Sequence, residues 1–159
     1  MPGHIPFRRI DARLRAARSI WISTTRPDRR PHTTPIWFYW DGRVLYFNVG
    51  RTTQKARNLN EVAWVAAHLG DGDDALILEG AVVPIDDRVE LERVDHAYRQ
   101  KYVDPHSGAT ARFPETEADI PYRLEVRRMM AWEYGVVATR TDFLPQETGG
   151  WAQISPVKI

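Results

Sequence analysis

The residues best suited to chemistry lie in one short stretch. Gly50-Arg51-Thr52-Thr53-Gln54 is a polar loop, and Lys55-Ala56-Arg57-Asn58-Leu59 starts a helix directly after it. Two hydroxyls, the free N–H groups of a helix start and two cations suit a bound anion such as a phosphate. The same residues also suit a solvated helix start, so spacing alone leaves both readings open. Just upstream, Ile36-Trp37-Phe38-Tyr39-Trp40 and Val44-Leu45-Tyr46-Phe47 flank Asp41-Gly42. A wide aromatic surface beside a phosphate cradle would serve a ring-bearing nucleotide cofactor, although aromatic strands equally serve as core.

These residues need elements to hold them. Asp-Gly between two β-prone runs predicts a hairpin with a type I′ turn, over about 32–40 and 43–48. Pro35 lies inside the first of these strands. Proline cannot donate to a ladder, so it belongs at an edge, a bulge or a point where something other than a strand approaches. Upstream, residues 1–8 read as a loose tail. Asp11 is placed to cap a helix through about Arg18, and Ile20–Thr25 reads as a first strand before an Arg26–Arg30 turn. Downstream, a fourth strand spans 62–69 and a fifth 75–85, where Gly80 predicts a bulge or bend. Asp71, Asp73 and Asp74 between them lack the rest of a calcium loop and read as a turn. Asp86-Asp87 opens one long helix to about Tyr102. His96 and His106 have no third ligand at metal spacing.

Residues 103–120 show no period. Such a loop is either a lid or a mobile surface loop, and Tyr102, His106 and Phe113 could reach a ligand from it. Residues 122–127 and 129–134 read as one strand or two strand pieces, with a last strand at 136–143. Many antiparallel strands, a short helix after the third and one long helix, without βαβ alternation, predict a mainly β fold built as a small barrel.

Composition bounds the functions. The 159 residues suit one domain, 1–159, with an irregular tail from about 144. A net charge of +1 disfavours a dedicated nucleic-acid binder. The absence of cysteine excludes disulfides and thiolate metal sites. No apolar run approaches a membrane span, and the N-terminus lacks a signal-peptide core, so a cytoplasmic location is expected. Arginine outnumbers lysine by 19 to 3.

Four motifs together resemble a known family. They are Arg30-Pro31-His32-x-x-Pro35-Ile36-Trp37-Phe38-x-Trp40-Asp41-Gly42; Tyr46-Phe47-Asn48 with Thr53-Gln54-Lys55-Ala56-Arg57-Asn58-Leu59; Leu78-Glu79-Gly80-Ala81-Val82; and Ala138-Thr139-Arg140-x-Asp142-Phe143. The chain is similar to the pyridoxamine 5′-phosphate oxidase-like superfamily of flavin and deazaflavin oxidoreductases, which have the FMN-binding split β-barrel fold. The Pro-x-Trp-Phe-x-Trp-Asp-Gly pattern resembles the branch that includes users of the deazaflavin coenzyme F420. The oxidases that act on pyridoxamine phosphate carry Arg where Gln54 stands and Gln where Ala75 stands. The resemblance therefore extends to fold and cofactor site, not to the vitamin substrate.

The resemblance implies a bound FMN or F420 at one site. Thr53 and Lys55, with Gln54 and Arg57 beside them, would receive the phosphate. The strand carrying His32, Thr34, Pro35, Ile36 and Trp37 would run past the ring, and Asn48 would close the pocket. It also implies a homodimer with the cofactor between subunits, where Trp132, Tyr134 and Arg140 contact the partner's cofactor. No side chain need act as acid or base, because the ring carries the hydride. The implied activity is hydride transfer to a small conjugated or heteroaromatic substrate. The alternative is a non-catalytic flavin, haem or small-molecule binder on the same barrel.

Overall fold

The computed structural model describes residues 4–134 and 140–154. The described chain runs α1 Phe7–Ala16, β1 Ser19–Thr25, β2 Pro31–Trp37, β3 Tyr39–Trp40, β4 Val44–Gly50, α2 Gln54–Glu61, β5 Trp64–Leu69, β6 Asp74–Pro84, α3 Arg88–Lys101, β7 Asp119–Glu133, β8 Thr141–Pro145 and β9 Trp151–Ile154. The strands form one antiparallel sheet in the order β2-β1-β5-β6-β7-β4-β3, with β8 paired to β7 and β9 to β8. The fold is a mainly β split barrel. Its split is visible at β7, which spends residues 119–125 on β4 and residues 129–131 on β8. Among the described residues, no helix is long and apolar enough to cross a membrane.

Alternation places Ile20 and Ile22 of β1, Leu45 and Phe47 of β4, and Leu76 and Leu78 of β6 in one core. Ile10 and Leu14 seal it from α1, as do Ala56 and Leu59 from α2. A second cluster lies under α3, where Val94 and Tyr98 meet Tyr46, Ile85, Tyr102 and Phe113. Asp87 caps α3 by accepting from the Val89 and Glu90 N–H groups. Gly80 has no room for a side chain: a Cβ there would lie 2.1 Å from the Glu125 carbonyl oxygen. The register of β6 against β7 shifts at that point, as expected for a bend.

Several expectations are corrected. The aromatic hairpin is broken in two. Strand β2 pairs along its whole length with β1, and only Tyr39 and Trp40 pair with β4. Between them Phe38 leaves the ladder, its N–H donating to the Tyr102 hydroxyl at 2.8 Å and its carbonyl accepting from Lys101 Nζ at 2.9 Å. The Asp41-Gly42 turn is not type I′. Gly42 has φ 103 but Asp41 is not in the left-handed region; its carboxylate instead accepts from the Arg43 and Val44 N–H groups.

Helix α1 begins four residues before Asp11. Phe7 is held by Phe143 and Trp151, each with ring centroids 6.0 Å away, a long-range anchor that local cap chemistry does not display. Asp11 serves Arg15 and the Trp40 indole N–H instead. The stretch from 144, expected to be irregular, forms the β8–β9 hairpin, turned by Gly149 and Gly150 at φ 87 and 85. The strand expected at 136–143 has its first residues, 136–139, outside the described residues, and its remainder opens β8. The pieces at 122–127 and 129–134 are one strand, β7.

Candidate functional site

Thr53 is the N-cap of α2, its hydroxyl accepting from the Ala56 N–H at 3.2 Å. The cap aims the first turn, and Lys55, at β2. There the Lys55 ammonium donates to Thr34 Oγ1 at 2.9 Å. Burial holds Lys55 below the ordinary lysine range. Among the described residues no carboxylate forms an ion pair with it. A half-buried cation whose one protein partner is a hydroxyl has hydrogen-bonding capacity left for an anion.

The register of β2 adds a second donor. His32, Thr34 and Ile36 share a face with Thr24, Ile22 and Ile20 of β1. His32 Nδ1 is buried without a partner. Burial, then the charges of Arg26 and Lys55, push the His32 imidazole below its usual range, so it stays neutral near pH 7. In the Nδ1–H tautomer it is a spare donor on the face of β2 that carries Thr34. The orphaned nitrogen and the uncompensated ammonium fit a phosphate.

A buried amide locks this corner. Asn58 is fully buried; its side chain donates to Thr24 Oγ1 at 2.8 Å and accepts from Gln54 Nε2 at 2.7 Å. It fixes α2 to β1 and so holds Lys55 and Thr34 in register. Arg57 grips the loop, donating to the Thr52 carbonyl at 3.0 Å and to Gln54 Oε1 at 3.1 Å. Sequence reasoning missed Asn58 and Thr24 as positioning groups. Two polar residues at strictly internal positions were the available signal.

The structure brings together only part of the expected set. His32, Thr34, Thr53, Gln54, Lys55 and Arg57 gather around the start of α2. Pro35 and Trp37 alternate to the opposite face of β2, where Trp37 stacks on Tyr102 with centroids 4.8 Å apart and lies under the Arg18 guanidinium. Ile36 is core. Asn48 lies opposite Pro121 on the face of β4 that carries Tyr46, and among the described residues no hydrogen bond links it to Lys55 or Thr34.

Arg140 makes a bidentate pair with the fully buried Asp142, at 2.6 and 3.0 Å, and Asp142 also takes Arg128. Trp132 donates to the Gly72 carbonyl, and Tyr134 is exposed. Ala138 and Thr139 lie outside the described residues. Within the 103–120 loop Phe113 is the buried residue, and His106 is exposed. Phe113 is buried against Tyr98, its N–H donates to Asp95 Oδ1 at 2.7 Å, and Tyr102 is buried too, so neither reaches outward for a ligand.

The family model described as pyridoxamine 5′-phosphate oxidase matches residues 8–136. The chain belongs to the pyridoxamine 5′-phosphate oxidase family. No functionally curated protein matches the sequence. Among solved structures, it is similar to a conserved hypothetical protein of Mycobacterium tuberculosis, with 22% identity, TM-score 0.68 and coverage of 83% of this chain and 87% of that one. A pyridoxamine 5′-phosphate oxidase-related, FMN-binding protein of Nostoc punctiforme superposes with TM-score 0.63 at 16% identity, covering 97% and 100%. An F420 reductase superposes with TM-score 0.52 at 22% identity, covering 75% and 94%. These likenesses establish the split-barrel fold.

Proposed function

We propose that the chain is an oxidoreductase holding FMN or F420 by its phosphate at the start of α2. The observation that carries this reading is Lys55, a half-buried ammonium with a hydroxyl partner and no carboxylate, beside the orphaned His32 Nδ1. Lys55 would give a charge-assisted bond to the phosphate, with His32 and the free N–H groups of the first α2 turn adding neutral ones. Thr34 would orient the ammonium and Asn58 the helix. The cofactor, when bound, supplies the hydride chemistry, so the chain's task is to place it and exclude water. A small conjugated or heteroaromatic substrate fits that chemistry. Membership in a family with FMN-binding and F420-reducing structural relatives supports either cofactor.

The reading includes a homodimer with shared sites. Trp21, Trp37 and Trp64 are 48%, 40% and 53% exposed and share the outer face of β2, β1 and β5 with Pro35 and His68. Exposed indoles on one sheet face are normally covered. In a dimer, Pro35, Trp37 and Arg140 could meet the partner's cofactor, which would give the outward-facing half of the expected set a role.

Titration of the wild type and of Lys55→Ala with FMN and with F420, followed by absorbance and calorimetry, tests the reading. The wild type should bind one of the two. Lys55→Ala should bind it about ten- to hundred-fold more weakly, the worth of a charge-assisted bond. Unchanged affinity in a folded Lys55→Ala protein refutes the site, and no binding of either cofactor by wild type refutes the function. Binding without turnover of any planar acceptor would instead favour a carrier.

A further inference from the structure

Three cavities differ in the charge of their walls. One, of about 460 Å³, sets Arg43, Arg123 and Arg127 against Glu90, Glu125 and Glu147 and is balanced. A second, of about 320 Å³ beside α3, is acidic, with Glu92, Asp95, Glu115 and Glu117 against Arg112. The third, of about 390 Å³, lies between α1, β3 and the end of α3, and is lined by Arg15, Tyr39, Trp40, Ala97, Gln100 and Lys101. Its lining holds two cations, two aromatic rings and no carboxylate. Its size suits a small molecule.

Lys101 sets the polarity of this third cavity. Its ammonium donates once, to the Phe38 carbonyl at 2.9 Å, and lies 3.9 Å from the centre of the Phe38 ring. An ammonium has three donors, so two remain. Among the described residues no carboxylate pairs with Lys101, and burial lowers it to about 8. Arg15 reaches Asp11 at 2.8 Å, and Asp11 also accepts from Trp40 Nε1, so that carboxylate is already shared. The cavity thus has surplus positive charge beside the partly exposed Tyr39.

We propose that this cavity is a binding site for a small planar carboxylate, held by Lys101 and Arg15 through its anion and by the partly exposed Tyr39 through its ring. The site is separate from the Lys55 corner and does not depend on the cofactor reading. Phe38, whose carbonyl accepts the Lys101 hydrogen bond, follows β2 directly.

The chain has three lysines, Lys55, Lys101 and Lys158, so protein labelled with ¹³C-lysine gives three resolvable side-chain signals. Benzoate titrated into the full chain should move the Lys101 signal selectively and saturably, and do so equally in Lys55→Ala protein. Benzamide, which has the same shape without charge, should bind at least about ten-fold more weakly. Lys101→Met should lose benzoate binding by a similar factor, measured calorimetrically, and Arg15→Gln should weaken it by a smaller one. Should Lys101→Met not fold, the wild-type and Arg15→Gln titrations decide. Joint movement of all three lysine signals, absence of saturation, or equal binding of benzamide overturns the proposal.

Discussion

Lys55 and Lys101 are the same residue type in the same predicament, and the fold treats them differently. Each is half-buried, each is lowered by desolvation, and neither has a carboxylate partner among the described residues. Lys101 sits on an aromatic ring and donates to a backbone carbonyl at a gap in the sheet, so it closes a main-chain defect as well as lining a cavity. Lys55 meets only a hydroxyl, at the first turn of a helix and near an imidazole whose Nδ1 has no partner. A donor-rich corner suits a phosphate, and a cation against rings suits a flat anion. Buried charge alone therefore does not identify a site, whereas the groups around the charge do.

The sharpest way to break this comparison is to exchange the two losses. Lys55→Ala should cost cofactor affinity about ten- to hundred-fold, while Lys101→Met should leave it within about two-fold. Comparable losses in both would mean that the two corners form one site. A stability effect should come next, at Asn58. Asn58→Ala removes the bond to Thr24 and leaves that hydroxyl with only the 3.3 Å contact to the His32 carbonyl. Denaturant unfolding should show a loss of about 1–3 kcal/mol, with cofactor affinity falling in parallel because Lys55 loses its register.

Tyr102→Phe should cost somewhat less, about 1–2 kcal/mol, by the same measurement. The Tyr102 hydroxyl accepts from the Phe38 N–H and lies 2.7 Å from both the Phe38 and Arg18 carbonyls. One hydroxyl proton serves one carbonyl, and Lys101 covers Phe38, so the loss falls on the Phe38 N–H and the Arg18 carbonyl.

A further expected effect concerns pH. Lys101 is lowered in the folded chain to about 8, so protonation favours the unfolded chain, where the group has its ordinary value. Its contribution to stability is fully present above the unfolded value of about 10.5 and is lost as pH falls through about 8. The melting temperature of wild type relative to Lys101→Met should rise between those limits. A flat difference would show that the Phe38 carbonyl and ring offset the desolvation of the ammonium.

Local chemistry made much of this protein legible in its residues. The N-cap at Thr53, the cap at Asp87, the bend at Gly80, the edge position of Pro35-bearing β2 and the cluster around Lys55 all follow from φ preferences, missing donors or side chains a few residues apart. Tertiary structure decided what depends on partners distant in sequence. Phe38 leaves its strand because a tyrosine and a lysine 64 and 63 residues away satisfy its backbone. Helix α1 starts at Phe7 because Phe143 and Trp151 hold it, and Asn58 aligns the site through Thr24, 34 residues upstream. Strand pairing then divided the expected cofactor strand between two faces, since alternation sends His32 and Thr34 one way and Pro35 and Trp37 the other. Which of those faces is the barrel interior depends on how β2 registers against β1, a long-range pairing that the local composition of β2 does not encode.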